Sequence, residues 1–153
     1  MDTMTPEQRR QCMSHIRSRD TQPEIAIRKR LFRLGYRYRV CPRDLPGKPD
    51  IVLPKYGTVI FIHGCFWHCH GCSLSKMPTT RQGYWTTKLE RNRQRDRENL
   101  KRLRRLGWCV VIVYECAFRR AGRNCEEAFD KIVQRIDAFI QAGTQQQMTI
   151  RGR

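Results

Sequence analysis

From Ile62 to Cys72 the chain reads Ile-His-Gly-Cys-Phe-Trp-His-Cys-His-Gly-Cys, placing five soft metal ligands, Cys65, His68, Cys69, His70 and Cys72, within eight positions. Any one cysteine can pack as a small hydrophobe, but a cluster this dense points to a metal. Zinc takes four thiolate or imidazole ligands in a tetrahedron, and a tight loop can supply two or three of them. The remaining ligand then comes from elsewhere, and Cys116, just past a strand-like run, is the best candidate. One structural zinc site is therefore expected. Eight cysteines in a small secreted chain would suggest a disulfide framework. Here no apolar signal stretch opens the sequence, so a reducing, cytoplasmic location is expected, where such clusters bind metal. Cys12, Cys41, Cys109 and Cys125 lie outside the cluster and read as buried small hydrophobes. No run is apolar and long enough to span a membrane.

Around this loop the chain alternates helix and strand signals. Thr5-Pro6-Glu7-Gln8 reads as a helix start, but the segment to Ser18 is polar and Arg-rich, with Met13 and Ile16 as its large apolar residues. It reads as an arm. Thr21-Gln22-Pro23-Glu24 starts a second helix, with Ile27, Leu31 and Leu34 on one face and Gly35 as its stop. Strands are expected over Tyr36–Val40, Asp50–Leu53 and Thr58–Ile62, with turns at Leu45–Pro49 and Pro54–Gly57. After the irregular Cys/His stretch, a helix is expected from about Thr86 to Leu106, carrying Leu89, Leu100, Leu103 and Leu106. A buried strand follows over Trp108–Tyr114, then an amphipathic helix over Cys125–Ile140. The segments Leu31–Tyr36 and Leu103–Trp108 are alike and read as two helix-to-strand joints. The expected architecture is α/β, a small mixed sheet flanked by helices. Residues 1–20 form the arm, 21–141 the folded domain, and 142–153 a loose polar tail.

Charge sets the partner. Thirty-one Lys and Arg against 14 Asp and Glu leave a net charge of +17, which attracts a polyanion and makes its binding salt-dependent. On charge alone, a basic protein without chemistry, of the ribosomal kind, is as good a reading as a DNA enzyme. Between Lys88 and Arg105 one helix carries nine of these cations against three acids, more than solubility requires, and reads as a phosphate-facing surface. The acid of Pro49-Asp50 and the histidine at position 63 fall on adjacent strands near one sheet edge. A carboxylate beside a strand-end carbonyl suits a hard cation such as magnesium, and a nearby histidine can activate water. Phe66 and Trp67 sit between the ligands; two large aromatics ordinarily pack in a core, but a zinc-pinned loop can hold rigid rings outward, where they can wedge between base pairs.

Pro49-Asp50, the run Val59-Ile60-Phe61-Ile62-His63-Gly64-Cys65-Phe66-Trp67-His68, Trp85, and Val113-Tyr114-Glu115-Cys116-Ala117 together resemble the very short patch repair endonucleases. The likeness runs from about Met13 to Arg119. It implies a restriction-endonuclease-like core and a nick 5′ of the thymine in a T:G mismatch, the product of 5-methylcytosine deamination. It implies that Asp50 binds catalytic magnesium with the Ile62 carbonyl, that His68 is the general base, and that His63 and Glu24 assist. The structural zinc set implied is Cys65, His70, Cys72 and Cys116, which leaves Cys69 a bystander. Phe66, Trp67, Trp85 and Met13 match residues that intercalate beside the mismatch. Some members carry threonine where this chain has Ile62, so only the backbone can act there. The expected partners are mismatched duplex DNA and the repair proteins that take over the nick, for a monomer working on the bacterial nucleoid. Two other readings stay open from the residues: a restriction-type nuclease cutting matched duplex, and a zinc-stapled DNA-binding module without catalysis.

Overall fold

The computed structural model describes residues 5–6, 21–40, 42–65, 79–120 and 123–152; the arm and most of the Cys/His loop lie outside them. Helix α1 spans Gln22–Arg33 and starts where expected: the Thr21 hydroxyl accepts the Glu24 N–H at 3.5 Å, with proline in the first turn. Strands β1 (Arg39–Val40), β2 (Ile51–Leu53) and β3 (Thr58–His63) form an antiparallel meander. Helix α2 (Gln82–Arg105) returns the chain so that β4 (Cys109–Tyr114) pairs parallel to β3. A short hairpin, β5 (Arg119–Arg120) with β6 (Arg123–Asn124), leads to α3 (Glu126–Ala142) and then to β7 (Gln147–Ile150), parallel to β4. The sheet order is β1-β2-β3-β4-β7. This is the expected small mixed sheet with helices on its faces, and none of its helices is long and apolar enough to cross a membrane.

Alternation along the strands divides the core in two. Ile51, Leu53, Ile60, Val111 and Val113 face α1 and α3, where Ile27, Leu31, Phe129, Ile132 and Ile136 cover them. Val52, Val59, Phe61, Val110 and Ile112 face Leu103 of α2. Between α1 and α3, Arg30 reaches both Glu126 and Asp130 at 2.7 Å. Cys109 and Cys125 are half-buried and pack against the larger cluster, in keeping with their reading as small hydrophobes.

The two look-alike segments are indeed two copies of one joint. Gly35 (φ 97°) and Gly107 (φ 92°) take the left-handed conformation that a Cβ disfavours. Gly35 N–H donates to the Phe32 carbonyl and Tyr36 N–H to that of Leu31; Gly107 donates to Arg104 and Trp108 to Leu103, all at 3.0 Å. This is the paired bonding that closes a helix C-terminus. One detail departs from the periodicity. Leu34 and Leu106 were expected on the apolar faces, yet as cap residues they stand where the chain leaves the helix and are 54% and 64% exposed.

Other boundaries move as well. Only two residues of the expected Tyr36–Val40 strand pair with a neighbour. Helix α2 begins at Gln82, four residues before the expected start, which puts Trp85 on the helix rather than ahead of it. The segment expected to be a loose tail is instead partly a sheet strand: β7 gains backbone bonds from β4 and buries Ile150. An edge strand with one partner needs little apolar sequence, which is why the polar composition concealed it.

Tyr36, buried below its joint, donates its hydroxyl to the Asp137 carboxylate and accepts from Gln141 Nε2. Burial, together with that bond, pushes its pKa from 10.0 up to about 12. The fold thus favours the neutral phenol, so this contribution is complete below about pH 10 and is lost as pH rises toward 12. Tyr36→Phe is expected to cost about 1–3 kcal/mol at neutral pH. The gap between the two proteins in urea unfolding should narrow above about pH 10; a gap constant to pH 12 would show that the phenol does not titrate with folding.

Candidate active site

The end of β3 is where sequence chemistry and sheet geometry meet. The β2–β3 ladder pairs Ile51 with Ile60 and stops there. Extending that register by two residues would set Pro49 opposite Ile62. Proline has no N–H to give to the Ile62 carbonyl, and in Pro49's place the Asp50 side chain closes the ladder: Asp50 Oδ2 accepts the Ile62 N–H at 2.7 Å. In a strand the N–H and C=O of one residue point the same way, so the Ile62 carbonyl faces the side on which Asp50 stands. A carboxylate and a carbonyl are brought together with oxygen donors only, the set a hard divalent cation takes. The Pro-Asp pair, a weak signal alone, has its physical reason in this ladder end.

His63, one residue on, is buried and aligned with Tyr114 across the parallel pair. Its ring packs 5.4 Å from Phe61 and edge-on to Tyr114 at 5.8 Å, which fixes its plane. Burial, with Asp96 nearby, raises the Tyr114 hydroxyl above the usual phenol range. Glu24 enters from the first turn of α1. It is 4% exposed and ion-paired with Arg28 at 3.1 Å. The ion pair fixes where the Glu24 carboxylate stands in the cleft lining.

Glu24, Asp50, Ile62 and His63 line one cleft of about 1520 Å³, whose lining also includes Arg119 and Arg123 of the hairpin. Lys48 lines it too, in a left-handed conformation at φ 49° that is uncommon for a side-chain-bearing residue. Neither Lys48 nor Arg28 was singled out from the sequence. Arg28 was detectable, lying one helical turn after Glu24; Lys48 was not, because a turn residue carries no periodicity.

A second constellation lies beyond His63. Cys65 is fully buried, and its Sγ accepts the Cys116 N–H at 3.3 Å. Two of the four expected zinc ligands, one just past β3 and one just past β4, are therefore neighbours, and an amide points at one sulfur, as amides do toward metal-bound thiolates. His70 and Cys72 lie outside the described residues, and among those described no three metal-binding side chains cluster. His68, Phe66, Trp67, Met13 and Cys69 likewise lie outside them.

Trp85 is half-buried in the first turn of α2, edge-on to the exposed Tyr84 at 5.2 Å. Arg81 sits 4.7 Å from the Tyr84 ring, and Lys88 lies 5.7 Å from Trp85 and 5.8 Å from Tyr84. Beyond them Leu89 and Leu103 are buried, while all nine Lys and Arg from Lys88 to Arg105 are exposed. Aromatic rings and a cationic face thus share one helix, as a nucleic-acid surface requires.

Comparison with known proteins gives this geometry its context. Residues 1–74 match the family model described as DNA mismatch endonuclease Vsr. The chain is 46% identical over 121 residues to the Type II nicking enzyme V.XorIIP of Xanthomonas oryzae, covering 79% of this chain and 89% of that one. It is 43% identical over 128 residues to the DNA mismatch endonuclease Vsr of Escherichia coli, covering 84% and 80%. With the nicking enzyme V.NmeAIP of Neisseria meningitidis it shares 40% over 135 residues, covering 88% and 96%.

Proposed function

We infer the reaction from the chain's family: it belongs to the DNA mismatch endonuclease Vsr family, and it is a DNA endonuclease. We propose that it nicks one strand of duplex DNA 5′ of the thymine in a T:G mismatch, in a magnesium-dependent hydrolysis. The observation that carries this reading is the ladder end, where the Asp50 carboxylate and the Ile62 backbone meet beside a fixed His63.

In this reading Asp50 and the Ile62 carbonyl hold magnesium. Bound there, the ion supplies Lewis-acid stabilisation of charge on the scissile phosphate. His68 takes the proton from the attacking water, and His63 orients the reacting groups from its packed position against Tyr114. Glu24, anchored by Arg28, adds negative potential that favours a cation in the cleft. Lys48, Arg119 and Arg123 offer positive charge to the strand that enters. Cys65, His70, Cys72 and Cys116 hold the structural zinc, which pins the loop that carries Phe66 and Trp67. Those rings, with Trp85 and Met13, wedge beside the mispair, and the face of α2 binds the flanking phosphates. Apolar wedges unstack a base step at an energetic cost, and that cost is lower where the pairing is already faulty.

The test is a nicking assay on a labelled duplex with one T:G mismatch beside its T:A control, in several methyltransferase-site contexts, with magnesium and with EDTA. The expected result is a magnesium-dependent nick 5′ of the mispaired thymine and an intact control. Equal cutting of both duplexes would replace mismatch repair with restriction-type cleavage. Cutting that persists in EDTA would remove the metal from the reading.

A further inference from the structure

We propose that Gly152, just past β7, is a positioning residue of the zinc site: its backbone N–H holds the Cys116 sulfur. The inference rests on the zinc reading above and assigns that site a component from outside both ligand segments.

Gly152 N–H donates to Cys116 Sγ at 3.3 Å, just as Cys116 N–H donates to Cys65 Sγ at 3.3 Å. The two bonds form a relay in which each sulfur receives an amide from the next segment. A thiolate buried against a cation carries more charge than the metal alone neutralises, and amide donors offset the remainder and fix the sulfur's direction. The approach is very close. A Cβ built on Gly152 would lie 2.2 Å from the Cys116 carbonyl oxygen and 2.9 Å from its carbonyl carbon. Both are backbone atoms that cannot swing aside, so no side chain fits while the amide keeps its bond to the sulfur. Glycine is needed here for space.

The route by which Gly152 arrives has its own logic. Residue 116 follows β4 in a single 3-10 turn, Glu115–Ala117, and a turn this short holds its shape poorly alone. Strand β7, in register with β4 from Gln147 opposite Val110 to Ile150 opposite Val113, delivers residue 152 to that turn. The strand that the polar sequence concealed thereby braces one ligand against the sheet.

The test compares wild type, Gly152→Ala, and a variant with glycolic acid at position 152. The last replaces the amide with an ester, deleting the N–H without adding bulk. Each is purified with zinc, checked by circular dichroism, and titrated with a chromogenic zinc chelator. Second-sphere partners typically contribute about 10–100-fold in metal affinity, and a loss of about that size is expected in both variants. If the ester variant holds zinc as tightly as wild type, the amide has no role and the proposal is overturned, even if Gly152→Ala fails to fold. Wild type without zinc would overturn the zinc reading itself and the proposal with it.

Discussion

Replacing Asp50 with alanine is expected to lower nicking of a T:G duplex by on the order of 10³-fold or more, while duplex affinity stays within about threefold because phosphate contacts dominate it. The carboxylate has two tasks here, and two variants separate them. Alanine removes both the charge and the acceptor for the Ile62 N–H, leaving a strand-end amide unsatisfied at a cost of about 1–3 kcal/mol. Asparagine keeps an oxygen for that amide and loses only the charge. Asp50→Asn should therefore melt close to wild type yet be as inactive as Asp50→Ala. Nicking by Asp50→Asn within about tenfold of wild type would show that the charge is not needed and that the cation sits elsewhere.

The second large effect is expected at Cys116. Structural zinc contributes about 10–16 kcal/mol of apparent binding energy in small sites, comparable to the whole net stability of a domain, about 5–15 kcal/mol. Cys116→Ser replaces a thiolate with a poorly ligating hydroxyl. The expected protein carries almost no zinc and unfolds at far lower urea than wild type. Cys109→Ser is the control: Cys109 opens β4 and packs half-buried against the core, away from the Cys65 sulfur. It should lose a modest amount of stability and keep its zinc. Full zinc content in Cys116→Ser would remove Cys116 from the ligand set, whatever its stability.

How much of this could be read from the chain varies by element. Thr58–Ile62 and Trp108–Tyr114 were legible because both are continuous apolar runs, the signature of strands buried on two faces. Helix α1 was legible from Thr21 and Pro23 at its start and Gly35 at its end. Strand β7 was hidden, since Gln145, Gln146 and Gln147 signal solvent and only Ile150 is fully buried. The β5–β6 hairpin, two residues a side, is below any periodicity. Within the site, residue types were visible and relations were not. Asp50 and His63 could be placed near one sheet edge, but the bond from Ile62 to Asp50 depends on a register that stops at Ile51. Cys116 was singled out as the ligand most suited to come from outside the loop, and the structure places it beside Cys65. Gly152 carried no signal at all, because its role is to present a backbone amide where no side chain fits.

The ladder that ends at Asp50 has a consequence for anyone who would build such a site anew. The ingredients are a hairpin-like pair with one strand two residues too short, a proline at the position that would have continued it, and an aspartate filling the gap. Because the partner strand offers only main-chain atoms there, the Ile62 side chain answers to its packing against the core rather than to Asp50. The adjustable parameter is strand length: two more paired residues on β2 would give the Ile62 N–H a backbone acceptor in place of the Asp50 carboxylate.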